Sequence, residues 1–275
     1  MRFRDSVIWI TGASSGIGEA LCQKFCNEGA HIVLSARRVE ELQRVAKTCN
    51  GPGEILVRPL DICDLAEIDQ AAEAVLHKFG RVDVLVNNAG LTQRARVIDA
   101  ELSVYRNIMD VNFFGPLMMT KALLPSMIRR KAGKIVCVTS VAGKYGSPMR
   151  SGYNAAKHAL HGFFDSLREE VYADGIDVTL AVPGAVQTNI SLNALRGDGS
   201  PYGKMDPFLE NGMSAGECAS RIIDAVHSGK REILIAEGIA RRNVWLKRWS
   251  PKLLSKVMRQ RRTNTRYVRQ NNIEG

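Results

Sequence analysis

Tyr153 and Lys157 stand four residues apart, as Tyr153-Asn154-Ala155-Ala156-Lys157, in a stretch of helical period. That spacing puts both side chains on one helix face, so a phenol and an ammonium can share a pocket. A free phenol ionises near pH ~10, too high for a base at neutral pH, and a neighbouring cation favours its phenolate. Such a pair can give a proton to a developing alkoxide or take one from an alcohol. Thirteen residues earlier, Ser140 ends an apolar run and offers a hydroxyl to an oxygen that gains charge. The spacing alone is a weak signal, because the tyrosine and lysine content of this chain gives roughly 0.3 such pairs by chance. Its place behind a strand-terminal serine makes it informative.

A second cluster lies near the start, Thr11-Gly12-Ala13-Ser14-Ser15-Gly16-Ile17-Gly18. Glycines let such a turn close and let a backbone approach a pyrophosphate, while the helix that follows supplies N–H groups and partial positive charge. The pattern is Gly-x-x-x-Gly-x-Gly rather than the commoner Gly-x-Gly-x-x-Gly. By itself it is equally a tight turn. The next apolar run ends Leu34-Ser35-Ala36-Arg37-Arg38. A site for NAD wants a carboxylate here for the ribose hydroxyls, whereas two guanidiniums suit a phosphate and favour NADP. The alternative is two ordinary charges at a helix start.

These residues need elements to hold them. Short β-rich apolar runs cover 6–11, 31–35, 54–59, 82–87, 134–139, 177–182 and 232–236, and helical stretches cover 17–27, 40–49, 65–79, 104–130, 151–172 and 214–227. Alternation of this kind predicts a doubly wound α/β domain, a parallel sheet of seven strands covered by helices on both faces. Ligands bind beyond the carboxyl ends of such strands, and the chemistry-bearing residues fall just after the runs. No linker interrupts residues 5–236, so we read one Rossmann-like catalytic domain over 1–238 and a basic extension over 239–275.

With these motifs in order, the chain resembles the short-chain dehydrogenase/reductase family over residues 5–236. The matching residues are Thr11, Gly12, Gly16, Ile17, Gly18, Asp61-Ile62, Asn87-Asn88-Ala89-Gly90, Asn112, Ser140, Tyr153, Lys157 and Pro183-Gly184 with Thr188. The resemblance implies an oxidoreductase acting between a nicotinamide cofactor and a carbonyl or alcohol. Asn112, Ser140, Tyr153 and Lys157 would form a catalytic tetrad, with Asn112 holding a water and Lys157 the ribose. Gly12, Ser14, Ser15, Gly16, Ile17 and Gly18 would cradle the cofactor, Asp61 and Ile62 would meet its adenine, and Asn88, Ala89 and Gly90 would line its groove. Pro183 and Gly184 would also contact the cofactor, and Thr188 would hold its nicotinamide amide. The family implies dimers or tetramers built on the helices at 104–130 and 151–172. The other reading is a cofactor-binding regulatory protein without turnover, for which an intact tetrad has no use.

The family's substrate lid would be residues 185–210, where Ile190, Leu192, Leu195, Tyr202, Met205, Pro207, Phe208 and Leu209 point to an apolar substrate. Within the family the chain is similar to hydroxysteroid and retinoid reductases. The stretches Leu123-Leu124-Pro125-Ser126-Met127-Ile128, Ser191-Leu192-Asn193-Ala194 and Asp198-Gly199-Ser200 are similar to an acyl-dihydroxyacetone-phosphate reductase. Arg94, Arg96 and Arg150 lie near the expected mouth, either as surface charges or to greet an anionic substrate group. His158 and His161 lack a partner pattern.

Composition limits the remaining options. The formal charge is +10, but residues 238–273 hold eleven Lys or Arg and no acid, which leaves 27 basic against 28 acidic residues elsewhere. The catalytic part is balanced, and no nucleic-acid recognition module accompanies the basic tail. Cys22, Cys26, Cys49, Cys63, Cys137 and Cys218 lack metal-ligand spacing and read as small buried hydrophobes in a reducing compartment. No secretory signal or membrane-spanning run is read, which suggests a cytoplasmic protein. In the tail, Trp245, Leu246, Trp249, Leu253, Leu254, Val257 and Met258 recur at three- and four-residue steps among Lys and Arg, with Pro251 where a second helix can start. Residues 239–262 thus form a basic amphipathic segment suited to an anionic membrane surface. The competing reading packs the stripe on the domain or on a second subunit.

Overall fold

The computed structural model describes residues 1–264, with side chains through residue 259; the remainder of the basic tail lies outside the described residues. Seven parallel strands form one sheet in the order β3-β2-β1-β4-β5-β6-β7. They are β1 Val7–Thr11, β2 His31–Ser35, β3 Ile55–Val57, β4 Val84–Asn87, β5 Gly133–Val138, β6 Ile176–Pro183 and β7 Glu232–Ile235. The helices are α1 Gly16–Asn27, α2 Val39–Lys47, α3 Leu65–Phe79, α4 Leu102–Met109, α5 Gly115–Arg130, α6 Ser151–Glu170, α7 Pro207–Glu210, α8 Ala215–His227, α9 Gly238–Trp249 and α10 Pro251–Asn264. This is the doubly wound Rossmann-like domain that the alternation predicts.

Central strands read as continuous apolar runs because both faces are covered. On one face Ile8, Ile10 and Ile32 meet Leu21 and Phe25 of α1 and Ile222 and Ile223 of α8. On the other Trp9, Leu85 and Ile135 meet Ile68 of α3, Leu123 of α5 and Phe164 of α6. Trp9 satisfies its one polar atom there, with Nε1 donating to Ser35 Oγ at 2.9 Å and that hydroxyl donating to the Arg58 carbonyl at 2.7 Å. Helix starts follow local chemistry. Asp64 caps α3 by accepting from Glu67 N at 3.1 Å, and Ser214 caps α8 by accepting from Glu217 N at 3.1 Å.

Two expectations need correction. The stretch 104–130 is not one α-helix, because a π-helical turn over Asp110–Phe114 separates α4 from α5. Pro116 carries no N–H to return to the Asn112 carbonyl four residues back, and Asn112 bonds a distant loop, so the α pattern yields there. The cysteines also divide. Cys22, Cys26, Cys137 and Cys218 are buried, whereas Cys49 is half-buried and Cys63 is exposed. Burial pushes the Cys137 and Cys218 thiols up to about 12, away from reactivity.

The tail helices rest on the core. Ala240 of α9 and Leu254 of α10 are buried against Val141, Tyr145, Val182 and Ala236, with Val244, Leu246 and Met258 packed beside them. The apolar stripe therefore divides. Ile239, Trp245, Trp249 and Leu253 stay exposed, the last three at 55%, 78% and 48%.

His161, on α6, carries a stability consequence. Neither ring nitrogen has a hydrogen-bond partner, and the nearest carboxylate, on Glu232, lies 3.6 Å from Nδ1. Burial, followed by the charge of Lys144, holds this imidazole down to about 4. A histidine in the unfolded chain titrates near ~6.5, so below that pH the unfolded state takes a proton that the fold refuses. Stability should fall as pH drops through this window, with His161 contributing about 2 kcal/mol of loss between pH ~7 and ~5. His161→Leu should flatten that part of the acid limb in urea unfolding. An unchanged pH slope would assign it to other groups.

Candidate functional site

Where β1 ends, the glycine loop turns into α1. Gly12 has φ +65°, and a Cβ there would lie 2.7 Å from Ala89 Cα. A Cβ on Gly18 would lie 2.2 Å from the Gly12 carbonyl oxygen, so the turn closes only because both side chains are absent. Thr11 and Asn88 tie the loop to the end of β4. The Thr11 hydroxyl accepts from Asn88 N and Ala89 N at 3.1 and 3.2 Å, and Asn88 Nδ2 donates to the Thr11 and Gly12 carbonyls at 3.0 and 3.2 Å. The cradle is narrow and lined by backbone.

Arg37 and Arg38 follow β2, exposed at its carboxyl end. Arg38 Nη2 donates to Ser14 Oγ at 3.3 Å, which brings one guanidinium onto the glycine loop. Asp61 and Ile62 follow β3. Asp61 Oδ1 accepts from Cys63 N at 3.0 Å, and Ile62 is buried against Gly115, where a Cβ would meet its Cδ1 at 2.8 Å.

Ser140 follows β5 in extended backbone, and its Oγ accepts from Ala142 N at 3.1 Å. Tyr153 and Lys157 share the first turns of α6 and are both buried. Lys157 Nζ donates to the Val138 carbonyl at 2.9 Å and lies 5.7 Å from the centroid of the Tyr153 ring. The ammonium is thus pinned to the strand that delivers Ser140. Asn112 is fully buried in the π-helical turn, where Nδ2 donates to the Leu91 and Ile108 carbonyls, each at 2.8 Å. Its Oδ1 accepts from Leu91 N at 3.1 Å, so the amide is spent on protein and any water must meet the main chain.

A cavity of about 1910 Å³ runs from the glycine loop to the lid. Small-ligand sites typically enclose about 300–1,000 Å³, so there is space for a dinucleotide and a substrate together. The candidate catalytic and cofactor-binding residues line this cavity except Gly18 and Asn112, and the motif residues Thr11 and Asn87 likewise do not reach it. From the lid come Ile190, Leu195, Tyr202, Phe208 and Leu209, while Leu192, Met205 and Pro207 do not reach it. His158 and His161 do not line it either. Among the described residues no group of three His, Cys, Asp or Glu side chains could hold a metal ion.

Sequence reasoning missed two features. Asp206 fastens the lid, since its Oδ2 accepts from Arg94 Nη2 at 2.6 Å and Arg150 Nη2 at 2.8 Å. Burial draws the Arg94 guanidinium down from its ordinary value, Arg150 adds to this, and Asp206 opposes both. The other is Gln93, fully buried, whose Oε1 accepts from the first amides of α6. An acid in the lid, spaced from two flagged arginines, was the only available hint of the first; nothing local marked the second.

Known proteins share this architecture. The family model described as short chain dehydrogenase matches residues 6–197. Dehydrogenase/reductase SDR family member 7B of Xenopus laevis is 41% identical over 260 residues, covering 92% of this chain and 80% of that relative. Dehydrogenase/reductase SDR family member 7 of Homo sapiens is 43% identical over 239 residues, covering 85% and 70%. A short-chain dehydrogenase from Streptomyces avermitilis superposes with a TM-score of 0.81 at 30% identity, covering 96% of this chain and 100% of that one. A metagenomic short-chain oxidoreductase, solved in complex with NADP, gives 0.73 at 27% identity, covering 87% and 100%. With the fold, the motifs and relatives of this extent in agreement, the chain belongs to the short-chain dehydrogenase/reductase family of oxidoreductases.

Proposed function

We propose that the protein is an NADP(H)-dependent carbonyl reductase or secondary-alcohol dehydrogenase for a fairly apolar substrate of the steroid, retinoid or lipid-ketone class. The observation that carries this reading is one cavity shared by Ser140, Tyr153 and Lys157 at one end and by the glycine loop with Arg37 and Arg38 at the other. A cofactor-binding regulator would have no need for the first group. The residues fit the cofactor, because the turn from Gly12 to Gly18 excludes side chains where a pyrophosphate must approach. When bound, NADP(H) supplies or accepts the hydride at the substrate carbon. Ser140 holds the substrate oxygen, and the Tyr153 hydroxyl gives or takes the proton on it. Lys157 places positive charge beside the phenol and holds the ribose, and the Asn112 main chain offers a carbonyl to a relay water. Asp61 and Ile62 would meet the adenine, Asn88, Ala89 and Gly90 with Pro183 and Gly184 would line the cofactor groove, and Thr188 would hold the nicotinamide amide. Residues 1–238 are the catalytic domain and 239–275 its extension.

The proton role is tested by Tyr153→Phe, which keeps the ring and removes the hydroxyl. Turnover of NADPH against a panel of steroids, retinals, lipid ketones and small dicarbonyls should fall by about 10² or more. NADPH binding should survive. Near-normal turnover would mean another group is the acid.

Cofactor choice is tested at the end of β2. Arg37 and Arg38 favour NADPH over NADH, and Arg37→Ala should reduce that discrimination by about 1–3 kcal/mol. Equal use of both cofactors by the unaltered protein would refute the assignment.

Association is part of the same reading. Exposed Leu102 and Phe114, along α4 and the start of α5, support a homodimer or homotetramer. The tail adds a peripheral contact with anionic membrane, keeping the protein cytoplasmic. Trp245 and Trp249, one turn apart, point away from the face that packs on the core, with exposed Arg241, Arg242 and Arg248 on the same helix. Tryptophan suits the headgroup boundary, and each basic residue near an anionic surface contributes roughly 1 kcal/mol. The full chain should sediment with phosphatidylserine vesicles at low salt and not with phosphatidylcholine alone, and Trp245→Ala with Trp249→Ala should release it. A chain that stays in solution with both vesicles would exclude the membrane role.

A further inference from the structure

Helix α6 carries the proton-transferring tyrosine, yet it begins without a cap of its own. Arg150 precedes it and makes no side-chain cap hydrogen bond. The first N–H groups of any helix have no partner within it, and buried ones need an acceptor from elsewhere. Gln93, in the segment after β4, provides that acceptor. Its Oε1 accepts from Gly152 N at 2.8 Å and from Tyr153 N at 3.3 Å. The side chain is fully buried. Gly152 is bare for the same reason, since a Cβ there would lie 2.5 Å from Gln93 Oε1. Tyr105 holds the adjoining residue, with its hydroxyl 2.9 Å from Ser151 Oγ.

The segment that carries Gln93 is fixed on both sides. Leu195 N, from the lid, donates to the Thr92 carbonyl at 2.9 Å, and Arg94 N donates back to the Leu195 carbonyl at 2.8 Å. Ala95 N donates to the Met149 carbonyl at 3.1 Å, on the loop that enters α6. Gln93 does not line the cavity, so it reaches the reaction only through the backbone of Tyr153.

We propose that Gln93 is a positioning residue for proton transfer, a cap supplied from a distant segment of the chain that sets the depth of Tyr153 in the cavity and ties it to Leu195 in the 185–210 segment. This rests on the reading of Tyr153 as the acid–base group. Removing the acceptor leaves two buried amides unpaired and lets the first turn of α6 shift or fray. A displacement of about an ångström is enough to cost on the order of 10² in rate.

The test uses the full chain with Gln93→Met, Gln93→Glu and Gly152→Ala. Amide hydrogen exchange is followed over residues 150–156, NADPH binding by fluorescence, and turnover with phenanthrenequinone. In Gln93→Met the helix-start amides should exchange faster by about 10-fold or more, as the loss of a cap allows. The kcat should fall by about 10-fold or more while the affinity for NADPH stays within about twofold, because only the positioned group is disturbed. Gln93→Glu, which burial without a partner for its second oxygen holds in the protonated form, keeps a carbonyl acceptor and should recover most of the kcat; Gly152→Ala, which pushes the amide away, should reproduce the loss. Unchanged exchange in Gln93→Met overturns the proposal without reference to turnover. So does an equal kcat loss in Gln93→Met and Gln93→Glu, which would mark Gln93 as packing. Tyr153→Phe, run alongside, separates the two ideas. If it alone abolishes turnover, the acid assignment stands and the cap fails; if it leaves turnover intact, the acid assignment fails.

Discussion

Two halves of the sheet wind outward from one seam. From β1 the order runs to β2 and β3, and from β4 through β5 and β6 to β7, so the carboxyl ends of β1 and β4 part around a crevice. Thr11 and Asn88 hold that crevice to a single width. One hydroxyl takes two successive amides, and one side-chain amide returns to two successive carbonyls where the turn begins. Without these bonds the glycine loop and the 88–90 segment would not form opposite walls of one groove. The same segment runs on through Leu91, bonded to Asn112, to Gln93, which sits behind the wall at the head of α6. The glycine loop and the start of the helix that carries Tyr153 are thus placed by one continuous stretch of backbone.

That dependence explains what could be read in advance. The glycine loop, the arginines after β2, Ser140 and the Tyr153–Lys157 pair were legible because each is set by local spacing and by position at a strand end. The strands themselves were legible to within a residue or three, since a strand buried on both faces is an apolar run whatever its neighbours. The π-helical turn was not. It arises where Pro116 lacks an N–H and Asn112 bonds a residue 21 positions away, and neither effect alters the apolar period of 104–130. Gln93 and Asp206 were hidden for the same reason, with partners 59 and 56 residues away respectively. Side chains that act through distant backbone leave no pattern in their own neighbourhood.

The tail shows a different limit. Three- and four-residue spacing finds a helix and its apolar members but cannot say which of two opposed faces meets the core. The choice is made by Ala240 and Leu254, which bury beside Ala236, while Trp245 and Trp249 are left outside. Because Arg242, Val257 and Met258 also line the cavity, the tail forms part of the cavity wall as well as an outer surface.

Charge follows the same division between global balance and local arrangement. Outside the tail the chain is nearly neutral, yet Arg37 and Arg38 stand at one end of the cavity and Arg94, Arg150 and Arg242 toward the other. Among the described residues one carboxylate, Asp206, answers both Arg94 and Arg150, so that trio keeps one positive charge in excess. A field of this kind is shaped by low-dielectric walls rather than by net charge, and it favours an anionic ligand in the crevice. The partly buried charges of Arg94, Arg150 and Asp206 are also screened by salt much less than the exposed cations of α9 and α10. Ionic strength should therefore act unequally on the two surfaces, weakening any attraction at the tail while leaving the Arg94–Asp206–Arg150 cluster largely intact.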